Sequence, residues 1–235
     1  MNNFFKGLLF VRKCVLCGKA LPDAEEDAVF CENCFREYQK LCGDVCPRCE
    51  QPENACRCVP GKLRGKVGFS IHLFAYRDAV SRTIVYSLKL KNLPHLQRFL
   101  SGELSARINE VTKGDLSDFT VTFAPRKPRS VRIYGFDQAK MLAKLSAERL
   151  HLPFAEMYRH VRFSKLQKRL NVKEREINAG KSYFLRDDFV RSTDKLLIFD
   201  DVMTTGSTFS TLISLAKTAG FREICVVCIA KTGRT

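Results

Sequence analysis

Residues 196–208 read Leu196-Leu197-Ile198-Phe199-Asp200-Asp201-Val202-Met203-Thr204-Thr205-Gly206-Ser207-Thr208, and this stretch decides the fold. The apolar run from Lys195 to Phe199 has the pattern of a short strand buried on both faces. Two carboxylates close it. A turn of hydroxyls and one glycine follows, and Ser207 to Ala219 then reads as a helix with Gly220 as its C-cap. The carboxyl edge of a parallel sheet, where strand turns into helix, is where open α/β folds take ligands. The first amides of a helix favour an anion. Thr204, Thr205, Ser207 and Thr208 add hydroxyl donors, and Gly206 lets the backbone approach closely. Asp200 and Asp201 suit sugar hydroxyls, directly or through Mg²⁺.

Outward from this point, strands and helices alternate. Phe69 to Tyr76 reads as a strand. Asp78 is an N-cap for a helix with Val80, Ile84, Val85 and Leu88 on one face. Leu96 to Ile108 is a second helix, Phe119 to Ala124 a strand and Phe136 to Leu150 a helix. Glu223 to Ala230 is a further buried strand, in which Cys225 and Cys228, three positions apart, point to opposite faces. The alternation predicts an α/β domain over residues 66–235 with a mainly parallel sheet flanked by helices. His72 and His95 stand alone and read as structural or exposed.

Nine of the 11 cysteines lie between Cys14 and Cys58. The cytosol keeps thiols reduced, so metal explains such a cluster better than disulfides. Cys14-x-x-Cys17 and Cys31-x-x-Cys34 are two knuckles that can close one tetrahedral site. Cys46-x-x-Cys49 and Cys56-x-Cys58 offer a second, with Cys42 as a substitute ligand or a spare thiol. Four thiolates select zinc over hard cations, and a closed Cys₄ site is structural, not catalytic. Residues 1–62 are therefore read as a small double zinc-ribbon domain, too short to bury much core without metal. Val59 to Gly65 reads as the linker.

The chain carries 40 Lys and Arg against 25 Asp and Glu, net +15. Residues 121–186 hold 16 of the basic groups and 5 of the acidic ones, a net +11, whereas residues 187–235 hold 6 of each. An anionic partner is expected for the basic stretch, a phosphate ligand or nucleic acid. Tyr134, Phe136, Tyr158, Phe163 and Tyr183 could supply rings that stack on bases, although aromatic residues at such spacing more often belong to a core. A hydrophobic content of 45% argues against wholesale disorder. No apolar run is long enough for a transmembrane helix, and the patch at residues 4–11 is too short for a signal core. A cytoplasmic protein with no membrane insertion is expected.

The acidic pair and the Thr/Gly turn resemble the signature of the type I phosphoribosyltransferases. That resemblance implies binding of 5-phosphoribosyl 1-pyrophosphate (PRPP) with Mg²⁺. Asp200 and Asp201 would meet the ribose hydroxyls, and Thr204, Thr205, Gly206, Ser207 and Thr208 would hold the 5′-phosphate. Over nearly its whole length the chain also resembles the ComF family: cysteine knuckles, then a basic segment running from Pro to Gly-Phe, then the phosphoribosyl turn. In that segment Arg129, Arg132, Gly135, Phe136 and Gln138 match, while Tyr134 stands for the usual Arg and Asp137 for the usual Asn. Leu88-Lys89 resembles an early Leu-Lys step. Gln167 and residues 173–179 resemble a Gln…Arg-x-x-Asn stretch, and the segment Gln167 to Asn178, polar and between elements, suits a mobile hood over the site. Arg129 and Arg132 are the expected pyrophosphate contacts. The resemblance further implies a role in DNA uptake during natural transformation, with single-stranded DNA and a helicase-like protein as partners. The resemblance leaves two readings. One is a phosphoribosyltransferase with Asp200 and Asp201 as its catalytic residues and an acceptor that no residue defines. The other is a non-catalytic module for single-stranded DNA or a helicase, in which the PRPP site is vestigial. No His or Glu is assigned as acid or base.

Overall fold

The computed structural model describes residues 12–21, 28–46, 49–160 and 182–232. Residues 4–11, Phe163, Gln167 and residues 173–179, named above, lie outside them.

The cysteine-rich part is built from turns. Bridges Lys13↔Ala20 and Val45↔Pro52 close two loops, and helix α1 (Glu32–Gly43) follows Cys31. Single 3₁₀ turns occupy Glu53–Ala55 and Gly61–Leu63. Then come β1 (Ser70–Ile71), β2 (Phe74–Ala75), α2 (Ala79–Leu90), α3 (Pro94–Thr112) and β3 (Phe119–Phe123). After these lie α4 (Pro128–Tyr134), α5 (Gln138–Leu150), β4 (Tyr158–His160) and β5 (Tyr183–Leu185). The described elements end with β6 (Lys195–Met203), α6 (Ser207–Thr218) and β7 (Glu223–Lys231). Local chemistry explains several boundaries. The Asp78 side chain accepts from the Ser81 N–H at 2.7 Å, and Ser81 returns the bond to the Asp78 N–H, a capping box that starts α2. The Asp137 carboxylate accepts from the amides of Ala139 and Lys140 to start α5, so it fills the N-cap role that Asn also serves.

The main sheet is parallel throughout, in the order β1-β7-β6-β3, with β2 also on β7. β4 and β5 form a separate antiparallel ribbon. Side chains alternate across the sheet. Leu197, Phe199, Cys225 and Val227 face a core built with α2, α3 and α5. Leu196, Ile198, Val226 and Cys228 face the other, with α6, Tyr158 and Leu63. Cys225 and Cys228 thus lie on opposite faces, both buried. The helix-flanked, mostly parallel sheet with cysteine clusters at its N-terminal side is the architecture the sequence predicts.

Four details differ from the sequence expectation. The strand at residues 69–76 is broken at His72, whose ring turns aside to meet Glu53. β6 runs past the acidic pair to Met203, so Asp200 and Asp201 sit inside a strand. The segment before Gly135 forms its own helix, α4, ended by Gly135 at φ 78°. Val59 to Gly65 is packed: Leu63 is fully buried in the α6-side core. The cysteine-rich part also shares the other core, through Tyr38 against Phe99 and Phe74, with the Tyr38 hydroxyl donating to Glu103 at 3.1 Å.

Candidate functional site

The strand alternation divides the acidic pair between the two faces of the sheet. Asp201 faces the α2 and α5 side, is nearly buried, and is held from both of those helices. Lys89 Nζ lies 3.1 Å from its Oδ1, and Gln138 Nε2 donates to its Oδ2. The two donors were noted in the sequence only as matches to a pattern. Their convergence on one carboxylate is what the structure adds. Asp200 lies level with Cys228, on the α6 side. Its Oδ1 accepts from the Asp201 N–H at 2.8 Å. Burial pushes the Asp200 carboxyl well above the usual carboxylate range, and the Asp201 charge adds to this, against the Asp201 N–H and Lys89.

Beyond β6, Thr204, Thr205 and Ser207 are exposed and Thr208 half-buried. Thr205 Oγ1 and Ser207 Oγ lie 2.9 Å apart. Gly206 is the N-cap of α6, with no side chain capping the helix, so the first amides are free for a ligand. It has φ 72°, and a Cβ there would meet Leu63 Cγ at 3.0 Å. Tyr183, at the start of β5, stands beside Thr208 and Asp200. Burial first, then Asp200, pushes its hydroxyl up to about 12. Gly206→Ala is therefore expected to cost about 1–2 kcal/mol from the left-handed backbone alone, with further loss from the Leu63 contact. The measurement is a denaturant midpoint. An unchanged midpoint would mean that the turn is not held in this form.

Arg129 and Arg132 lie exposed on α4 and make no ion pair among the described residues. α4 begins five residues after β3, which ends level with Phe199, so this segment leaves the same sheet edge as the acidic pair. Tyr134, where a basic residue was expected, lies under the Arg126 guanidinium at 4.4 Å from its ring centroid. Of the candidate stacking rings, Tyr158 is buried, with its hydroxyl donating to Leu212 O at 2.9 Å, and Phe136 is buried also. Both are core residues. Tyr183 instead meets His160 edge-on.

Buried polar chemistry tests whether the edge suits a hydroxyl-bearing ligand with a hydrated cation. Gln138 is buried, yet among the described residues its Oε1 has no hydrogen-bond partner. An acceptor left open beside a carboxylate pair fits such a ligand. Both Asp201 oxygens are taken by the chain, so Asp200 would hold the ligand or cation, and Asp201 would fix the edge.

The cysteines form two clusters, Cys14, Cys17, Cys31, Cys34 and Cys46, Cys49, Cys56, Cys58, with ligand atoms in each within 4.8 Å of one another. The Cys17 and Cys31 sulfurs are 3.7 Å apart and those of Cys49 and Cys56 3.6 Å. A tetrahedron with Zn–S bonds of about 2.3 Å has edges of about 3.8 Å, so both sets fit zinc. Cys42 belongs to neither. It is buried near Tyr38, and burial pushes its thiol up to about 12. The second cluster is tied to the sheet by groups that the sequence reading missed. Lys231 Nζ, at the end of β7, donates to Cys56 Sγ at 3.1 Å and lies 3.8 Å from Glu53 Oε2. Glu53 in turn meets His72 Nε2 at 2.9 Å, and all three of these polar side chains are buried. Glu53, Cys56 and His72 also lie within 4.8 Å of one another, but the His72 Nε2 is already engaged by Glu53.

The class defined by these features is an α/β chain with an acidic pair and a hydroxyl-rich turn at the carboxyl edge of its sheet, headed by two Cys₄ clusters of zinc-ribbon kind. The chain is similar to competence protein ComFC of Streptococcus pneumoniae, 21% identical over 225 residues, covering 90% of this chain and 96% of that protein. No family model matches the chain. Among solved structures, a purine phosphoribosyltransferase from Pyrococcus horikoshii Ot3 is similar over 59% of this chain and 84% of that one, at 14% identity and a TM-score of 0.34. None of the described helices is long and apolar enough to cross a membrane.

Proposed function

We propose that this ComF-type chain binds PRPP at the β6–α6 edge and acts in DNA uptake, as a cytoplasmic protein without membrane insertion. The observation that carries the ligand assignment is the locked Asp201. Lys89 and Gln138 hold it from two helices, leaving Asp200 and the open Gln138 Oε1 for ribose hydroxyls. The uncapped α6 amides, with Thr204, Thr205, Gly206, Ser207 and Thr208, take the 5′-phosphate. Arg129 and Arg132 take the pyrophosphate, as exposed cations of α4 with no ion pair among the described residues. Mg²⁺, when bound with PRPP, would offset the charge of the pyrophosphate.

We assign the zinc-ribbon head to residues 1–62 and the phosphoribosyltransferase-like domain to residues 66–235. The uptake role rests on the similarity to ComFC, and single-stranded DNA and a helicase-like protein are the proposed partners. The basic surplus of residues 121–186 exceeds what one sugar phosphate needs, which supports a polyanionic partner beside the small ligand. Calorimetric titration with PRPP, with and without Mg²⁺, is expected to show one site per chain that needs the metal. Absence of heat under both conditions would end the PRPP reading.

A further inference from the structure

The turn that would hold a 5′-phosphate has no cation of its own. From Leu196 to Ala216 there is no Lys, Arg or His. A phosphate monoester carries about −1.5 to −2 charges at neutral pH, and amides and hydroxyls supply only partial charges against it. A full positive charge reaches the turn from the other end of the chain. Lys62 Nζ donates to Ser207 Oγ at 2.9 Å across 145 positions of sequence. Ser207 Oγ is also 2.9 Å from Thr205 Oγ1, so ammonium and hydroxyls form one connected group.

Lys62 is held there from both sides. The next residue, Leu63, is fully buried and packs against Gly206, where the absence of a Cβ admits it at close range. The Leu63 N–H donates to Pro60 O, closing the 3₁₀ turn that carries Lys62. Four residues before Lys62 stands Cys58, in the second thiol cluster, and its carbonyl lies 3.5 Å from Lys231 Nζ on the sheet. The backbone of the turn is thus anchored on the cysteine module, on the sheet and on the core, while the Lys62 side chain remains exposed to a ligand.

We infer that Lys62, delivered by the cysteine-rich module, is the cation that binds the 5′-phosphate of the ligand at the β6–α6 turn. The inference rests on the PRPP reading of that site and assigns it a residue that lies in the head, outside the phosphoribosyltransferase-like domain. It also explains how a turn in a stretch of zero net charge can hold a dianion.

The test uses the full zinc-loaded chain and its Lys62→Gln and Lys62→Arg variants, titrated with PRPP plus Mg²⁺, with ribose 5-phosphate, and with magnesium pyrophosphate. Lys62→Gln is expected to weaken PRPP and ribose 5-phosphate by about tenfold to a hundredfold, the size of a charge-assisted hydrogen bond. Magnesium pyrophosphate, which lacks the 5′-phosphate, should bind both proteins alike, and Lys62→Arg should retain most of the affinity. Equal binding of ribose 5-phosphate by wild type and Lys62→Gln overturns the inference and leaves the PRPP reading intact. A wild type that binds neither sugar phosphate overturns both. Weakening of pyrophosphate as much as of ribose 5-phosphate also overturns the inference, because Lys62 would then act on the whole site and not on one phosphate.

Discussion

Asp200→Ala should abolish Mg²⁺-dependent PRPP binding, a loss of about a hundredfold or more, without lowering the melting temperature. The first half follows from the proposed role, since the Asp200 carboxylate would hold the ribose hydroxyls or the cation, and charge-assisted bonds of this kind are worth about 1.5–3 kcal/mol each. The second half follows from its surroundings. Burial and the neighbouring Asp201 charge already disfavour ionised Asp200, so the fold draws no stability from an Asp200 charge that its removal would forfeit. Asp201→Ala should behave differently. It strips Lys89 and Gln138 of their shared acceptor. Breaking a fully buried pair from one side costs about 3–5 kcal/mol. Lys89 is 37% exposed and water can reclaim it, so about 2 kcal/mol is expected. Calorimetric melting beside PRPP titration separates the two variants. If both melt alike and both still bind, the acidic pair has neither role.

The second large effect concerns metal. Cys56→Ser should reduce bound zinc from two ions per chain to one and lower the melting temperature by on the order of 10 °C or more, as a chain of this length loses about 2–4 °C for each kcal/mol. Cys56 does more than fill one corner of a Cys₄ set. Its sulfur also accepts from the buried Lys231 ammonium, and that group keeps company with Glu53 and His72 in a region closed to water. Without the metal, the anchor of the turn that carries Lys62 loosens as well, so PRPP affinity should fall together with stability. Cys42→Ser is the control. Cys42 lies outside both clusters, so zinc should remain at two per chain. Elemental analysis and melting curves read both proteins. A wild-type ratio of one zinc per chain would remove the second site.

The features legible in the sequence were those written over short distances. Each Cys-x-x-Cys turn brings two sulfurs to one point by local geometry, so the first quartet could be read without the fold, whereas the tighter Cys56-x-Cys58 pair left Cys42 as a rival ligand until the structure set it apart. The apolar run into Asp200 and Asp201 was equally plain, but its end was not. Charged residues are uncommon in strands, so the pattern ends at Phe199, although β6 continues to Met203 because β7 remains alongside it. Helix α4 has no buried residue and no apolar stripe, which left nothing periodic to find. The long-range pairings were the least visible. Lys62 with Ser207, Lys231 with Cys56, and Lys89 with Asp201 depend on which strand lies beside which, and no local pattern encodes that.

The position of β7 in the sheet has a consequence for the order in which the molecule can be assembled during synthesis. β1 and β2 pair with β7, yet β7 leaves the ribosome after every other described element. Until residues 223–231 emerge, the early strands have no ladder to join and the Cys56 thiolate lacks its lysine. Within the main sheet only β3 and β6 can pair before then, beside the separate β4–β5 ribbon. Closing so many distant contacts at once is slow, because the entropy of the intervening chain is lost before the contacts repay it. The four sulfurs of the second cluster are made early and Lys231 last, so the Lys231–Cys56 contact and completion of the sheet converge on the same late moment, and a nascent chain stalled before β7 would hold that cluster without its tie to the sheet.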